Sequence, residues 1–142
     1  MASRVACVTG ATGFLASELV AQLLARGYTV QATVRSLGSP ARFAHLTTLP
    51  NADSRLRLYE ADLLAQGAFD GCVTGADVVF HTASPFVTSN ITAPQQQLFG
   101  PALEGTRNVF SSIERTGGRP RVVLTSSIAA MLGKPTDKES CF

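Results

Sequence analysis

At 142 residues, 45% apolar and 15% charged, the chain has enough apolar side chain for one globular core and is one domain or part of one. Its net charge of +2 is scattered along the sequence, which leaves no basic stripe for nucleic acid and no polybasic cluster for an anionic membrane. Three cysteines, Cys7, Cys72 and Cys141, stand far apart at no metal-ligand spacing and read as reduced thiols of a cytoplasmic protein, and no apolar run approaches a membrane span.

Val5-Ala6-Cys7-Val8 is a short apolar run ending at Gly10 and predicts the first strand. Leu15, Leu19, Val20, Leu23 and Leu24 then share one face of a predicted helix, which Gly27 is placed to stop. Residues 28–34 alternate, with Val30, Ala32 and Val34 on one side, and predict the second strand. Pro40 can open a short helix through Leu46 and Leu49. Residues 56–59 form a third strand, residues 69–73 a weak helix, and Val78-Val79-Phe80 a fourth strand. A longer helix over roughly 94–115 carries Leu103, Thr106, Phe110 and Ile113 in helical register and ends at Gly117-Gly118; Val122-Val123-Leu124 is the fifth strand. Apolar strands alternating with helices predict an α/β fold with a parallel sheet covered on both faces. Right-handed crossovers then give the strand order 3-2-1-4-5.

The first turn reads Thr9-Gly10-Ala11-Thr12-Gly13-Phe14-Leu15-Ala16, between a strand and a helix. Small residues there let the backbone approach a diphosphate, and the helix N-terminus offers free N–H groups and a partial positive charge. Gly10 allows the tight turn, Gly13 the close approach, and Ala16 lets helix pack on strand. The spacing is G-x-x-G-x-x-A rather than G-x-G-x-x-G; a strand-to-helix turn without a ligand is the plainer alternative. No Gly-Lys-Ser/Thr follows, so the loop is not a P-loop.

The end of the second strand is informative by an absence. A site for NAD places Asp or Glu there for the ribose 2′-hydroxyl. Here no carboxylate lies between Glu18 and Asp53, whereas Arg35 follows Val34 and Arg42 lies seven residues on. A guanidinium matches a phosphate in charge and fork geometry, so the expected cofactor is NADP. The alternative is two solvated surface arginines.

The run VTGATGFLASELVAQLLARGYTVQATVR resembles the start of the extended short-chain dehydrogenases/reductases, in the NAD-dependent epimerase/dehydratase superfamily. More narrowly it is similar to the dihydroflavonol reductase and cinnamoyl-CoA reductase branch. The likeness continues through ADL at 61–63, VVFHTASP at 78–85, PALEGTRNVF at 101–110 and RVVLTSSIAA at 121–130. It implies a Rossmann domain. Gly10, Thr12, Gly13, Phe14 and Leu15 would form the diphosphate loop, and Arg35 and Arg42 would hold the 2′-phosphate. Asp62 and Leu63 would contact the adenine, and Thr82, Ala83 and Ser84 would line the ribose and nicotinamide side. Helix capping is the plainer role for Asp62. His81 reads as a packed, hydrogen-bonded histidine and His45 as a surface residue.

The resemblance also implies that Ser127 is the catalytic serine, its hydroxyl bonding the substrate carbonyl oxygen, with Ser126 pointing the other way. Reductases of this kind use a Tyr-x-x-x-Lys pair beyond that serine, tyrosine as proton donor and lysine to lower its pKa. Tyr28 and Tyr59 have no lysine four residues on, and Lys134 and Lys138 have no tyrosine near. The expectation is an incomplete dinucleotide-binding domain over 1–142, ending before the catalytic pair, the last strands and the substrate domain, and inactive alone. The parent would reduce an aldehyde, ketone or acyl thioester with NADPH. A non-catalytic dinucleotide-binding module, or part of a sugar-nucleotide epimerase or dehydratase, remains open.

Overall fold

The structure is a computed structural model and describes residues 3–85 and 92–128. Cys141, Lys134 and Lys138 lie outside the described residues. Five strands, β1 (Val5–Thr9), β2 (Thr29–Val34), β3 (Leu56–Glu60), β4 (Val78–His81) and β5 (Arg121–Leu124), form one sheet in the order β3-β2-β1-β4-β5. Every pairing is parallel. Parallel neighbours need crossovers, and α1 (Phe14–Ala25), α2 (Ala44–Thr47), α3 (Ala52–Arg55), α4 (Asp70–Val73) and α5 (Gly100–Arg115) lie in those connections.

Alternation along the strands divides the core in two. Ala6 and Val8 of β1 and Val30, Ala32 and Val34 of β2 pack under α1 through Ala16, Val20, Leu23 and Leu24, with Leu46 of α2 joining them. Cys7 and Val79 face the other way, into a cluster with Phe69, Cys72, Val73, Val109 and Ile113 from around α4 and from α5. The sheet is therefore covered on both faces, as the apolar strands require. Cys7 Sγ–H donates to Cys72 Sγ at 3.4 Å. That contact, and then burial, raises the Cys7 thiol well above its ordinary pKa, so both behave as core residues.

Gly27 ends α1 as expected. Its φ is +80°, its N–H bonds the Leu24 carbonyl, and the next N–H, of Tyr28, reaches back to Leu23. This pair of bonds satisfies the last carbonyls of the helix and turns the chain into β2.

Two helical faces differ from the sequence expectation. Leu15 is 57% exposed, because it sits in the first turn of α1 over the carboxyl ends of the strands rather than over the sheet. In α5 the buried set is Gly105, Asn108, Val109, Ser112 and Ile113. Leu103 and Phe110 are each about two-fifths exposed. The helix lies so close to the loop after β3 that at Gly105, under Leu63, there is no room for a side chain. Its start also differs: residues 95–99 form a wider turn with i→i+5 bonding, and regular helix begins at Gly100. Arg115 at the end of α5 holds Asp70 of α4 through two bonds, 2.7 and 3.3 Å. That contact keeps the Asp70 carboxyl below its usual pKa. Any stability it adds is present above the ordinary carboxylate range and is lost as pH falls through the lowered value; at the surface it is small.

Candidate dinucleotide site

In a parallel sheet all carboxyl ends share one edge, and loops leaving adjacent strands in opposite directions open a crevice there. Between β1 and β4 the chain does this. A cavity of about 750 Å³ runs along that edge.

Its floor is the turn after β1. Gly10 has φ +66°, and its N–H donates to Thr33 Oγ1 at 2.9 Å. Ala11 N–H bonds the Thr33 carbonyl, and Gly13 N–H closes the turn on the Gly10 carbonyl. A Cβ on Gly10 would lie 3.1 Å from both Cα and Cβ of Ala83, so the turn is pressed against the end of β4. α1 starts at Phe14 with Gly13 before it and no side-chain cap. The N–H groups of its first turn therefore face the cavity without a side-chain acceptor, where an anion would satisfy them. Phe14, 99% exposed, projects beside them.

Arg35 follows β2 and Arg42 closes the 3₁₀ turn at Pro40–Arg42; both are exposed and both line the cavity. Among the described residues, the ion pairs are Arg107–Glu104 and Arg115–Asp70, so neither cavity arginine is neutralised by a carboxylate. The loop between them is held by Leu37 N–H donating to Glu60 Oε2 at 2.7 Å.

The opposite wall comes from β3 and β4. Asp62 Oδ1 accepts from Leu64 N–H at 2.8 Å, so its carboxylate shapes the turn rather than capping a helix. Leu63 is fixed from behind: Asn108 Nδ2 donates to its carbonyl at 3.0 Å, and its side chain lies over Gly105. A Cβ on Gly105 would stand 2.3 Å from Leu63 Cγ. Gly105→Ala is therefore expected to displace Leu63 and destabilise the fold by about 1–3 kcal/mol, the usual range for overpacking, as urea unfolding would show. Thr82 and Ala83 give their backbone N–H groups to Thr9 Oγ1, at 3.1 and 3.0 Å.

The cavity gathers Gly10, Thr12, Gly13, Phe14, Leu15, Arg35, Arg42, Asp62, Leu63, Thr82, Ala83 and Ser84. Ser127 is exposed, follows the carboxyl end of β5 and is not among the lining residues. Sequence reasoning missed Thr33, Ser36, Phe43, Leu64 and Phe69, which also line it. Ser36, next to Arg35, had the clearest signal. A second cavity of about 570 Å³ adjoins the first, sharing Ser84 and Pro85 and walled by Pro94, Leu98 and Phe99. Among the described residues neither tyrosine lines either cavity.

Known proteins bear the same pattern. The chain is 53% identical over 133 residues to cinnamoyl-CoA reductase CAD2 of Medicago truncatula, covering 92% of this chain and 40% of that protein. It is 51% identical over 123 residues to tetraketide alpha-pyrone reductase 1 of Arabidopsis thaliana, covering 85% and 37%. Among solved structures, Gre2 of Candida albicans in complex with NADPH superposes with a TM-score of 0.78 at 40% identity, over 91% of this chain and 38% of that one. The chain thus spans about two-fifths of the length of these relatives. The model of the NAD dependent epimerase/dehydratase family matches residues 6–141, and the chain belongs to that family.

Proposed function

We propose that residues 1–142 belong to the dinucleotide-binding domain, and form the cofactor-binding part, of a cytoplasmic, NADP-dependent reductase that transfers hydride to the carbonyl of a small molecule. One observation carries this reading: the residues expected from sequence to hold the cofactor line a single cavity, with two unneutralised guanidinium groups at one end. The likeness to reductases, one of them solved with NADPH, supports it. A reducing compartment suits the free thiols of Cys7 and Cys72.

The donor set fits the group. The first turn of α1 and the backbone at Gly13 would take the diphosphate, Arg35 and Arg42 the 2′-phosphate, Asp62 and Leu63 the adenine. Thr82, Ala83 and Ser84 would position the nicotinamide ribose, and the bound nicotinamide supplies hydride. The adjoining apolar cavity would take the body of the substrate, with the Ser127 hydroxyl holding the carbonyl oxygen. A proton donor is also required, because hydride addition alone leaves an alkoxide. Neither Tyr28 nor Tyr59 stands at the cavity, so the donor is proposed to come from beyond the described residues.

Arg35→Ala is the test. In the 142-residue chain, affinity for NADPH is expected to fall about 10- to 100-fold, the range for a charge-assisted hydrogen bond, with affinity for NADH unchanged. Fluorescence titration with both nucleotides reads the ratio. An unaltered ratio would remove Arg35 from the 2′-phosphate and return the choice of cofactor to NAD.

A further inference from the structure

His81 is buried between β1, β5 and α5 and does not itself line the cavity. Its surroundings nevertheless fix every proton around it. Thr9 Oγ1 accepts two backbone N–H groups, from Thr82 and Ala83. A hydroxyl has two lone pairs and one proton, so the Thr9 proton is the only thing left to give. It points to His81 Nδ1 at 2.9 Å. Nδ1 must therefore accept, and the neutral ring carries its hydrogen on Nε2. Nε2 lies 3.3 Å from Thr106 Oγ1, whose own proton is committed to the Ala102 carbonyl at 2.8 Å. Thr106 Oγ1 is then free only to accept. Each donor meets an acceptor along the path from the end of β4 to α5, in one arrangement. Thr82 Oγ1–H adds a further bond to the Thr9 carbonyl.

We propose that Thr9 and His81 are positioning residues for the nicotinamide end of the cofactor: neutral His81, protonated at Nε2, orients the Thr9 hydroxyl so that its lone pairs clamp the Thr82 and Ala83 amides beside Gly10. The inference rests on the cofactor reading above. Its structural content is the clamp between β1 and β4, and Gly10 leaves no slack there, since even a Cβ at that position would lie 3.1 Å from Ala83.

An imidazolium would break this arrangement. With hydrogens on both nitrogens, Nδ1–H faces an oxygen whose lone pairs are taken, and Thr9 must release Thr82 or Ala83. Burial lowers the His81 pKa. The charged groups on β5 and α5 are Arg121, Glu104, Arg107, Glu114 and Arg115, all at exposed positions, and on β1 Cys7 is bonded to Cys72. A lowered pKa means that the unfolded chain binds the proton more tightly. The clamp's contribution is full above the ordinary imidazole value of about 6.5 and is lost as pH falls through the lowered one.

The experiment uses the full 142-residue chain and two probes. NADPH spans the whole cavity, and adenosine 2′-monophosphate fills only the arginine end. Thr9→Val, which keeps the shape and removes the hydroxyl, is expected to weaken NADPH about tenfold and leave adenosine 2′-monophosphate within about twofold. Thr9→Ser should restore NADPH affinity. In ¹⁵N spectra of the unmodified chain, His81 should carry its hydrogen on Nε2, and the Thr82 and Ala83 amide shifts should move together with its titration. Equal NADPH affinity in Thr9→Val and the parent would overturn the proposal. So would a hydrogen on Nδ1, or amides that stay still while His81 titrates. If the parent binds neither probe, the cofactor reading fails instead, and the ¹⁵N result still decides the clamp.

Discussion

Replacing Phe69 by alanine is expected to cost about 3–5 kcal/mol of stability, the usual range for a buried aromatic side chain. Phe69 is 1% exposed and leads the fully buried side chains by volume. It packs with Cys7, Cys72, Val73, Val79, Val109 and Ile113, so it ties α4 and α5 to the central strands. Its carbonyl also receives the Cys72 thiol and the Val73 amide. Phe69 also lines the cavity, so the hole left by truncation would open into the proposed nucleotide site. Against a typical total of about 5–15 kcal/mol, the loss is a large share of what holds the domain together. Urea unfolding measures it. Phe69→Leu, which refills most of the volume, should cost clearly less; equal costs for the two would mean that packing at this site is loose.

Gly10→Val should have the largest effect on binding. A β-branched residue at φ +66° is strained by about 1–3 kcal/mol, and its Cβ would press on Ala83 at 3.1 Å. Either β4 retreats or the turn flattens, and both remove the floor of the cavity. Affinity for NADPH is expected to drop by roughly 100-fold, two factors of ten at about 1.4 kcal/mol each. Gly27→Ala is the control. Gly27 has φ +80° with nothing within 4 Å of its missing Cβ, so strain arises there without collision and away from the site. That variant should lose stability and keep its nucleotide affinity. If Gly10→Val binds NADPH as the parent does, the turn is not the diphosphate floor.

Strand order and the two-sided core were legible because local pattern and chain connectivity are enough to define them. Short apolar runs separated by helical stretches admit few parallel topologies. Arg35 was legible because its position at a strand end is set by counting from Val34. What pattern could not give was the inner face of α5. Of the residues that periodicity selects, Ile113 is buried, but Leu103 and Phe110 are not, whereas Gly105 and Asn108 face the sheet side. Periodicity registers apolar surface, whereas this helix is placed by closeness: Leu63 fits only over a glycine, and Asn108 binds its carbonyl. Leu15 follows the apolar stripe of α1 but lines the cavity instead of the core, since the first turn of a helix can project past the sheet. The contact of Cys7 with Cys72 and the partners of His81 span long loops and were beyond reach from spacing alone.

The central place of β1 sets an order for assembly. Its contact with β2 bridges residues about 23 apart, as in the Gly10–Thr33 bond, whereas its contact with β4 bridges 73, as between Thr9 and Thr82. Closing the longer loop costs more entropy, and distant pairings of this kind slow folding. The Gly10–Gly13 turn and the arginine loop belong to the first of these steps, and Thr82 to Ser84 to the second. A nascent chain can thus shape the arginine-lined half of its crevice well before the other wall arrives. A ligand that requires both walls then favours only the fully paired sheet, and its binding energy is added to the longer-range of the two β1 pairings.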